Sequence, residues 1–237
     1  SLELIKNKQY DLIVGANDPL LAIITARLAK KSNIPFVYEM QDSYKIYKTY
    51  KLPLVPYFDK KAIEQASAVL TVSTTLKREI EKINPNTHVI QNGVEINLFK
   101  PQTQTRARKD LDLPKKDLII CYIGHVSVEK ETDSIVDVFH ILRTRHTDLT
   151  LLLSGKIDKE VLPRLQDKNI IVKELKERKD VAKALNAANV LLIPNGVNDF
   201  TKYCFPYKLL EYMATNTPIV ATAVGDVEEV LKNYKDT

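Results

Sequence analysis

Tryptophan is absent from this 237-residue chain, cysteine and methionine occur twice each, and glycine occurs only six times. Each scarcity excludes something. Cys121 and Cys204 form no metal-ligand spacing and fit a reducing compartment better than a disulfide-stapled scaffold. The glycines compose neither a Walker loop nor a dinucleotide fingerprint. No apolar run approaches the roughly 20 residues that cross a bilayer. No secretory signal is read either, so a cytoplasmic location is expected. Charge of one sign is also scarce: 35 Lys and Arg against 30 Asp and Glu leave a net +5. That bias suits a phosphorylated ligand or an anionic membrane surface. With no stacking motif or basic helix beside it, it is too weak to argue for nucleic acid.

The chain has the ordinary composition of a soluble globular protein, 44% hydrophobic and 27% charged, and the length for one large or two ordinary domains. Short apolar runs alternate with helical periods throughout, the pattern of parallel sheets built from βαβ units. Leu12-Ile13-Val14 is expected as a buried strand ending at Gly15. Asp18 and Pro19 then open a helix as N-cap and first residue. Further strands are expected at Ile34 to Tyr38 and Ala68 to Val72. Ser73 caps a helix with Leu76, Ile80 and Ile83 on one face. Asn92-Gly93 reads as a turn, and the polar stretch Lys100 to Lys116 as a linker. A second set follows. It has strands at Leu118 to Ile123, Leu149 to Leu153, Ile170 to Val172, Val190 to Ile193 and a buried Ile219-Val220. Its helices carry Ile135, Val138 and Leu142, and Val181, Ala184, Leu185 and Ala188. The predicted fold class is α/β, two doubly wound Rossmann-like domains at 1–105 and 106–237. In such sheets ligands lie beyond the carboxyl ends of the strands, so Gly124, Gly155, Asn195 and Lys208 should converge on one crevice.

One stretch, Tyr203 to Ala214, concentrates chemistry. Pro206 suits a first helical position, leaving the amides of Tyr207 and Lys208 at a helix start that favours an anion. Lys208 and Glu211 are three apart and share one face. A cation beside helix-start amides, with a carboxylate one turn deeper, suits a sugar diphosphate; an amphipathic surface helix with a chance Lys/Glu pair is the alternative. Gly124 to Lys130 lies between a strand and a helix, where a small residue lets backbone approach a ligand and Lys130 either reaches back to it or is solvated.

Three stretches together resemble the retaining nucleotide-sugar glycosyltransferases of glycosyltransferase family 4, which have the two-domain GT-B fold. Asn92-Gly93-Val94-Glu95 with Phe99 and Pro101 is similar to the family's Asn-Gly-Val-Asp…Phe-x-Pro. Gly124 to Lys130 is similar to its Gly-Arg-x-x-x-Glu-Lys-Gly loop. Leu210-Glu211-Tyr212-Met213-Ala214 through Pro218 and Gly225 is similar to its donor-binding Leu-Glu-Ala-Met-Ala-x-Gly-x-Pro stretch. The resemblance implies that Lys130 binds donor phosphate, that Glu211 holds the ribose, and that no metal or cofactor is needed beyond the donor, a UDP-sugar. His125 stands in place of a phosphate-binding arginine, Tyr203 in place of a glutamate, and Glu131 in place of the glycine after Lys130. A branch with Pro-x-Lys-x-x-Glu-Tyr-Met-Ala also lacks that glutamate; there Lys208 supplies donor-phosphate charge. Glu39-Met40-Gln41-Asp42 aligns with the pair facing the transferred sugar, and Asp42 reads equally as a loop-start cap. The expected site is Lys130, Lys208, Glu211 and Asp42 for the chemistry. Gly124, His125, Tyr203, Pro206, Tyr207 and Leu210 complete the donor pocket.

Residues 44–61 are dense in tyrosine, lysine and apolar side chains. They suit an anionic membrane surface, peripheral at the cytoplasmic face, or else a solvated loop whose tyrosines pack on their own domain. Relative to the family, opening strands are expected before Ser1 and a closing helix after Thr237. The resulting expectation is a hexosyltransferase acting with retention on a lipid-linked or glycan acceptor. The rivals are a non-catalytic nucleotide-sugar-binding subunit and a nucleotide-sugar 2-epimerase.

Overall fold

The computed structural model describes residues 10–232, which form two α/β units, one up to Asn92 together with Asn198–Phe205, the other Gly93–Val197 with the residues from Pro206 on. The first unit holds four parallel strands in sequential order, β1 (Ile13–Ala16), β2 (Phe36–Met40), β3 (Ala68–Thr71) and β4 (Thr87–Val89). Three helices connect them: α1 (Pro19–Ser32), α2 (Val55–Gln65) and α3 (Thr74–Ile80). Two of the starts are capped as the residue types dictate. Asp18 Oδ1 accepts from the Leu20 amide at 2.8 Å, and Ser73 Oγ accepts from the Leu76 amide at 3.0 Å.

Three expectations shift in this unit. β1 is not buried: it is the edge strand of the described sheet, and Leu12 and Val14 are about half exposed. β2 begins at Phe36 rather than Ile34. Asn33 ends α1 in the left-handed region at φ 53°, and the Ile34 amide is spent on the Ala29 carbonyl at 3.1 Å. Ile83 lies past α3, in the turn closed by its amide on the Ile80 carbonyl.

Residues 44–51 form two short 3-10 turns, Tyr44–Ile46 and Lys48–Lys51. Tyr44 is buried and stacks on Tyr38 with ring centroids 6.4 Å apart. The Tyr47 hydroxyl donates to Asp42 and the Tyr50 hydroxyl to Asp59. Three tyrosines therefore pack on their own unit, while Leu52, Leu54 and Tyr57 stay more than half exposed.

Asp59 on α2 is 1% exposed and also accepts the Tyr38 hydroxyl at 2.6 Å. Burial raises its carboxyl above the ordinary range, against the pull of the two phenols. The folded state thus holds this proton more tightly than the unfolded chain. Its contribution is full below the unfolded carboxylate range and is lost as pH rises through the folded value. In urea titrations across pH 4 to 8, wild type minus Asp59→Asn stability should decline with rising pH; a difference that grows would refute it.

The second unit is a five-stranded parallel sheet in the order β7-β6-β5-β8-β9, with β5 (Leu118–Ile123), β6 (Leu149–Ser154), β7 (Ile170–Val172), β8 (Val190–Ile193) and β9 (Ile219–Ala221). Its helices are α4 (Gln104–Asp110), α5 (Ser134–Arg143), α6 (Arg178–Ala187), α7 (Tyr207–Ala214) and α8 (Asp226–Leu231). The core is the central strand pair β5 and β6, fully paired from Leu118 opposite Leu149 to Ile123 opposite Ser154, with Ile135, Val136 and Phe139 of α5 packed against it.

The expected linker is overturned: residues 104–110 are helix α4, packed on α6 and pinned by Arg108. That side chain is buried, donating to the carbonyls of Ala187 at 2.9 Å, Lys115 at 2.9 Å and Asp117 at 3.0 Å, and to Asn189 Oδ1 at 2.8 Å. The polar composition that read as solvated linker is a buried cation satisfied by carbonyls. Asn92-Gly93 is not a turn either. The chain turns at Ile96–Leu98, where the Glu95 carbonyl accepts from the amides of Leu98 and Phe99. Val138 points outward, 46% exposed, because α5 turns Val136 and Phe139 to the core. Val220 is exposed because β9 is the sheet edge.

Candidate functional site

The strand order of the second unit reverses between β5 and β8, and a doubly wound sheet opens its crevice at such a reversal, beyond the carboxyl ends. β5 leads into Gly124, and β8 into Pro194, Asn195 and Gly196. Gly124 has φ 154°, and its amide donates to the Ser154 carbonyl at 2.8 Å. A Cβ there would collide with the Lys208 ammonium and the Tyr122 hydroxyl. Gly155, at φ 116°, abuts the Gly124 carbonyl in the same way.

The loop after Gly124 is tied down along its length. Val126 bridges to Ile157, the Ser127 amide donates to Thr132 Oγ1 at 2.8 Å, and Thr132 Oγ1 donates to the His125 carbonyl at 2.9 Å. Glu131, where the resemblance has glycine, adopts φ 56°. The left-handed turn is kept without glycine, at a strain of about 1 kcal/mol. The Glu131 carboxylate fills the space that a Cβ on Gly196 would need, and the Gly196 amide donates to the Lys130 carbonyl at 3.2 Å. Lys130 is half-buried, on the loop joined in this way to the end of β8.

Helix α7 brings the second set of groups. Pro206 is its N-cap rather than its first residue: at φ −74° and ψ 108° it is extended, and its carbonyl accepts from the Leu209 amide at 2.9 Å. Tyr207 and Lys208 are thereby the first two helical residues, with Tyr207 exposed. Leu209 and Tyr212 face inward, and the Tyr212 hydroxyl accepts from the Ile123 amide at 3.1 Å, fixing the helix to the last residue of β5. Leu210 and Glu211 are half-buried. The Lys208 ammonium donates to the Tyr122 hydroxyl at 3.1 Å and sits 4.3 Å from the centre of that ring. Tyr122 passes its own proton to the His125 carbonyl at 3.1 Å, and burial pushes its phenol up to about 12. The cation of α7 and the Gly124 loop therefore share one hydrogen-bonded chain.

Two partners were not anticipated. His125 Nε2 lies 2.7 Å from Asp158 Oδ1, and the imidazole holds that carboxyl below its ordinary range. Arg178, the first residue of α6, donates to Glu211 Oε1 at 3.1 Å. Asp158 follows the carboxyl end of β6 and Arg178 follows that of β7, so the strand-end rule pointed to both loops without selecting a residue.

Asp42 and Tyr203 lie in the first unit. Asp42 Oδ2 accepts from the Tyr47 hydroxyl at 2.8 Å, and Gln41 Nε2 donates to Glu39 at 3.1 Å. Tyr203 packs against that unit's core, its carbonyl accepting from Ser73 Oγ at 2.7 Å. With Met40, Ile63, Leu76 and the buried Asp59 it lines a cavity of about 360 Å³.

Residues 103–237 match the family described as glycosyl transferases group 1, and residues 1–98 match Glycosyltransferase Family 4. The chain belongs to the glycosyl transferases group 1. The lipopolysaccharide core biosynthesis mannosyltransferase LpsB of Rhizobium meliloti (strain 1021) is 31% identical over 189 residues, 73% of this chain and 50% of that protein. The N-acetyl-alpha-D-glucosaminyl L-malate synthase of Bacillus anthracis is 26% identical over 179 residues, 72% of this chain and 45% of that protein. This group 1 chain spans about half the length of the curated relatives it matches. Among solved structures, Anabaena HepE in complex with UDP and glucose aligns at a TM-score of 0.73 and 20% identity, over 93% of this chain and 61% of that one. That likeness shows the fold, the GT-B fold of two parallel α/β sheets. Among the described residues no three His, Cys, Asp or Glu side chains cluster as a metal site, and no helix is long and apolar enough to cross a membrane.

Proposed function

We propose that the protein is a hexosyltransferase that moves a sugar from UDP to a glycan or lipid-linked acceptor with retention of anomeric configuration. One observation carries the reading: the Lys208 ammonium stands against Gly124, at the reversal point of the donor-side sheet. The reacting bond joins the sugar C1 to the β-phosphate oxygen; it breaks as the acceptor oxygen bonds to C1, and the acceptor's hydroxyl proton passes to the departing phosphate oxygen. Charge then builds on the departing diphosphate. Lys208, Lys130 and the helix-start amides of α7 stabilise it electrostatically, where no side chain on Gly124 blocks the approach. Glu211 accepts hydrogens from the ribose hydroxyls, and His125 held by Asp158 takes the place of an arginine at the phosphates.

In the same reading the protein works at the cytoplasmic face of a membrane. The exposed Leu52, Leu54 and Tyr57 beside Lys48, Lys51 and Lys60 support this, with anionic lipid adding about 1 kcal/mol per lysine. A thermal-shift panel of UDP, GDP, ADP, dTDP and their sugars tests the donor assignment. UDP and UDP-sugars should raise Tm by a few degrees at millimolar ligand, by the mass action of binding to the folded state. A flat response to every nucleotide would sink it.

A further inference from the structure

Three stretches of the second unit, far apart in sequence, meet at one guanidinium. Arg178 donates through Nη2 to Glu211 Oε1 at 3.1 Å, its Nε lies 3.9 Å from Glu95 Oε2, and its Cζ sits 5.0 Å from the centre of the Phe99 ring. Phe99 is fully buried, so the ring is a fixed plate. A guanidinium is a planar fork whose donors lie in one plane, and a ring on its face with acids on two edges defines that plane. The side chains of Arg178 and Glu95 are about 60% exposed, whereas that of Glu211 is only 20% exposed. The least solvated member of the cluster is the carboxylate. Among the described residues Arg178 is its charged partner, and the bond engages one of its two oxygens.

We infer that Arg178 is a positioning residue for Glu211: it commits Oε1, so that Oε2 is held to accept hydrogens from the two ribose hydroxyls of the donor nucleotide. The inference rests on the donor-site reading above and goes beyond it by naming what orients the acid. A solvated ion pair of this exposure contributes little to stability, so a merely structural role predicts almost no effect of removing it. A positioning role predicts a loss confined to ligands that carry the hydroxyls.

The test uses calorimetric titration of the whole chain with UDP and with 2′,3′-dideoxyuridine 5′-diphosphate, which keeps the base and both phosphates. Arg178→Ala should weaken UDP about tenfold, the size of one misaligned charge-assisted hydrogen bond. Its affinity for the dideoxy analogue should stay within twofold of wild type and its Tm within about 2 °C. Arg178→Lys, which lacks the planar fork, should recover only part of the loss. In an Arg178→Ala/Glu211→Gln double variant the second change should add little to the first. Equal losses for both ligands would overturn the inference, placing Arg178 on the phosphates or the fold. So would an unchanged or tighter UDP affinity. A wild-type protein that binds neither ligand overturns the donor-site reading itself, an outcome distinct from wild-type binding that Arg178→Ala leaves intact.

Discussion

If Lys208 holds the donor diphosphate as proposed, Lys208→Ala is expected to cut UDP affinity roughly 100-fold while leaving the fold in place, the cost of deleting a half-buried cation from a phosphate site. The size follows from where the charge is held. Its ammonium rests on the Tyr122 ring at 4.3 Å and donates to that hydroxyl at 3.1 Å, so the ligand meets a cation already oriented. Pre-organisation of this kind is what makes such groups effective towards developing negative charge. Tyr122 retains its bond to the His125 carbonyl in the variant, so the loop after Gly124 should stay ordered and Tm should move little. Lys208→Met, which keeps the stem and removes the charge, should match the alanine variant and thereby assign the loss to charge rather than packing. Titration with UDP gives the answer. Affinity within twofold of wild type in both variants would remove Lys208 from the donor site.

Gly155→Ala is expected to cost at least about 3 kcal/mol of stability, combining a φ that only glycine adopts comfortably with an overpacked contact. At φ 116° the added Cβ would strike the carbonyl of Gly124, which is backbone and cannot rotate away. Neither strand end can retreat, because the Gly124 amide is bonded to the Ser154 carbonyl at 2.8 Å and β5 and β6 are paired over their whole length. Gly93 supplies the control: nothing lies within 4 Å of its would-be Cβ, and Gly93→Ala should be near neutral. Urea midpoints of the two variants decide the matter. If Gly155→Ala unfolds at the same urea concentration as Gly93→Ala, the Gly124 carbonyl does not crowd a side chain at the end of β6.

Local chemistry was legible wherever a few neighbouring residues settle it. Asp18 and Ser73 cap their helices because a short polar side chain before a helix finds a free amide two or three residues on. Lys208 and Glu211 lie about one helical turn apart on the same face by spacing alone. Where composition misled, a distant group had changed the meaning of a residue. Arg108 read as linker charge until the carbonyl of Ala187 and the side-chain oxygen Oδ1 of Asn189 accepted its hydrogens, 79 and 81 residues away. Glu131 read as a lost glycine, but it takes the left-handed conformation and fills the room left by Gly196. Val138 read as core because it falls on the helical period, yet helix α5 is rotated to bury Val136 and Phe139.

By itself, the sequence determined the α/β alternation, the two parallel sheets, the family motifs and the stretch from Pro206 to Glu211 as the place to look. Periodicity, caps and motif spacing act within a helix or loop, and they need no knowledge of the rest of the fold. Only the tertiary structure decided which partners those residues have. His125 meets Asp158 and Glu211 meets Arg178, each across 33 residues, because the strand order reverses at β5 and brings the ends of β6, β7 and β8 round one crevice. Strand order is a property of the packed sheet, set by which apolar faces bury one another. Two polar side chains on separate elements carry no mark in the chain that they will touch.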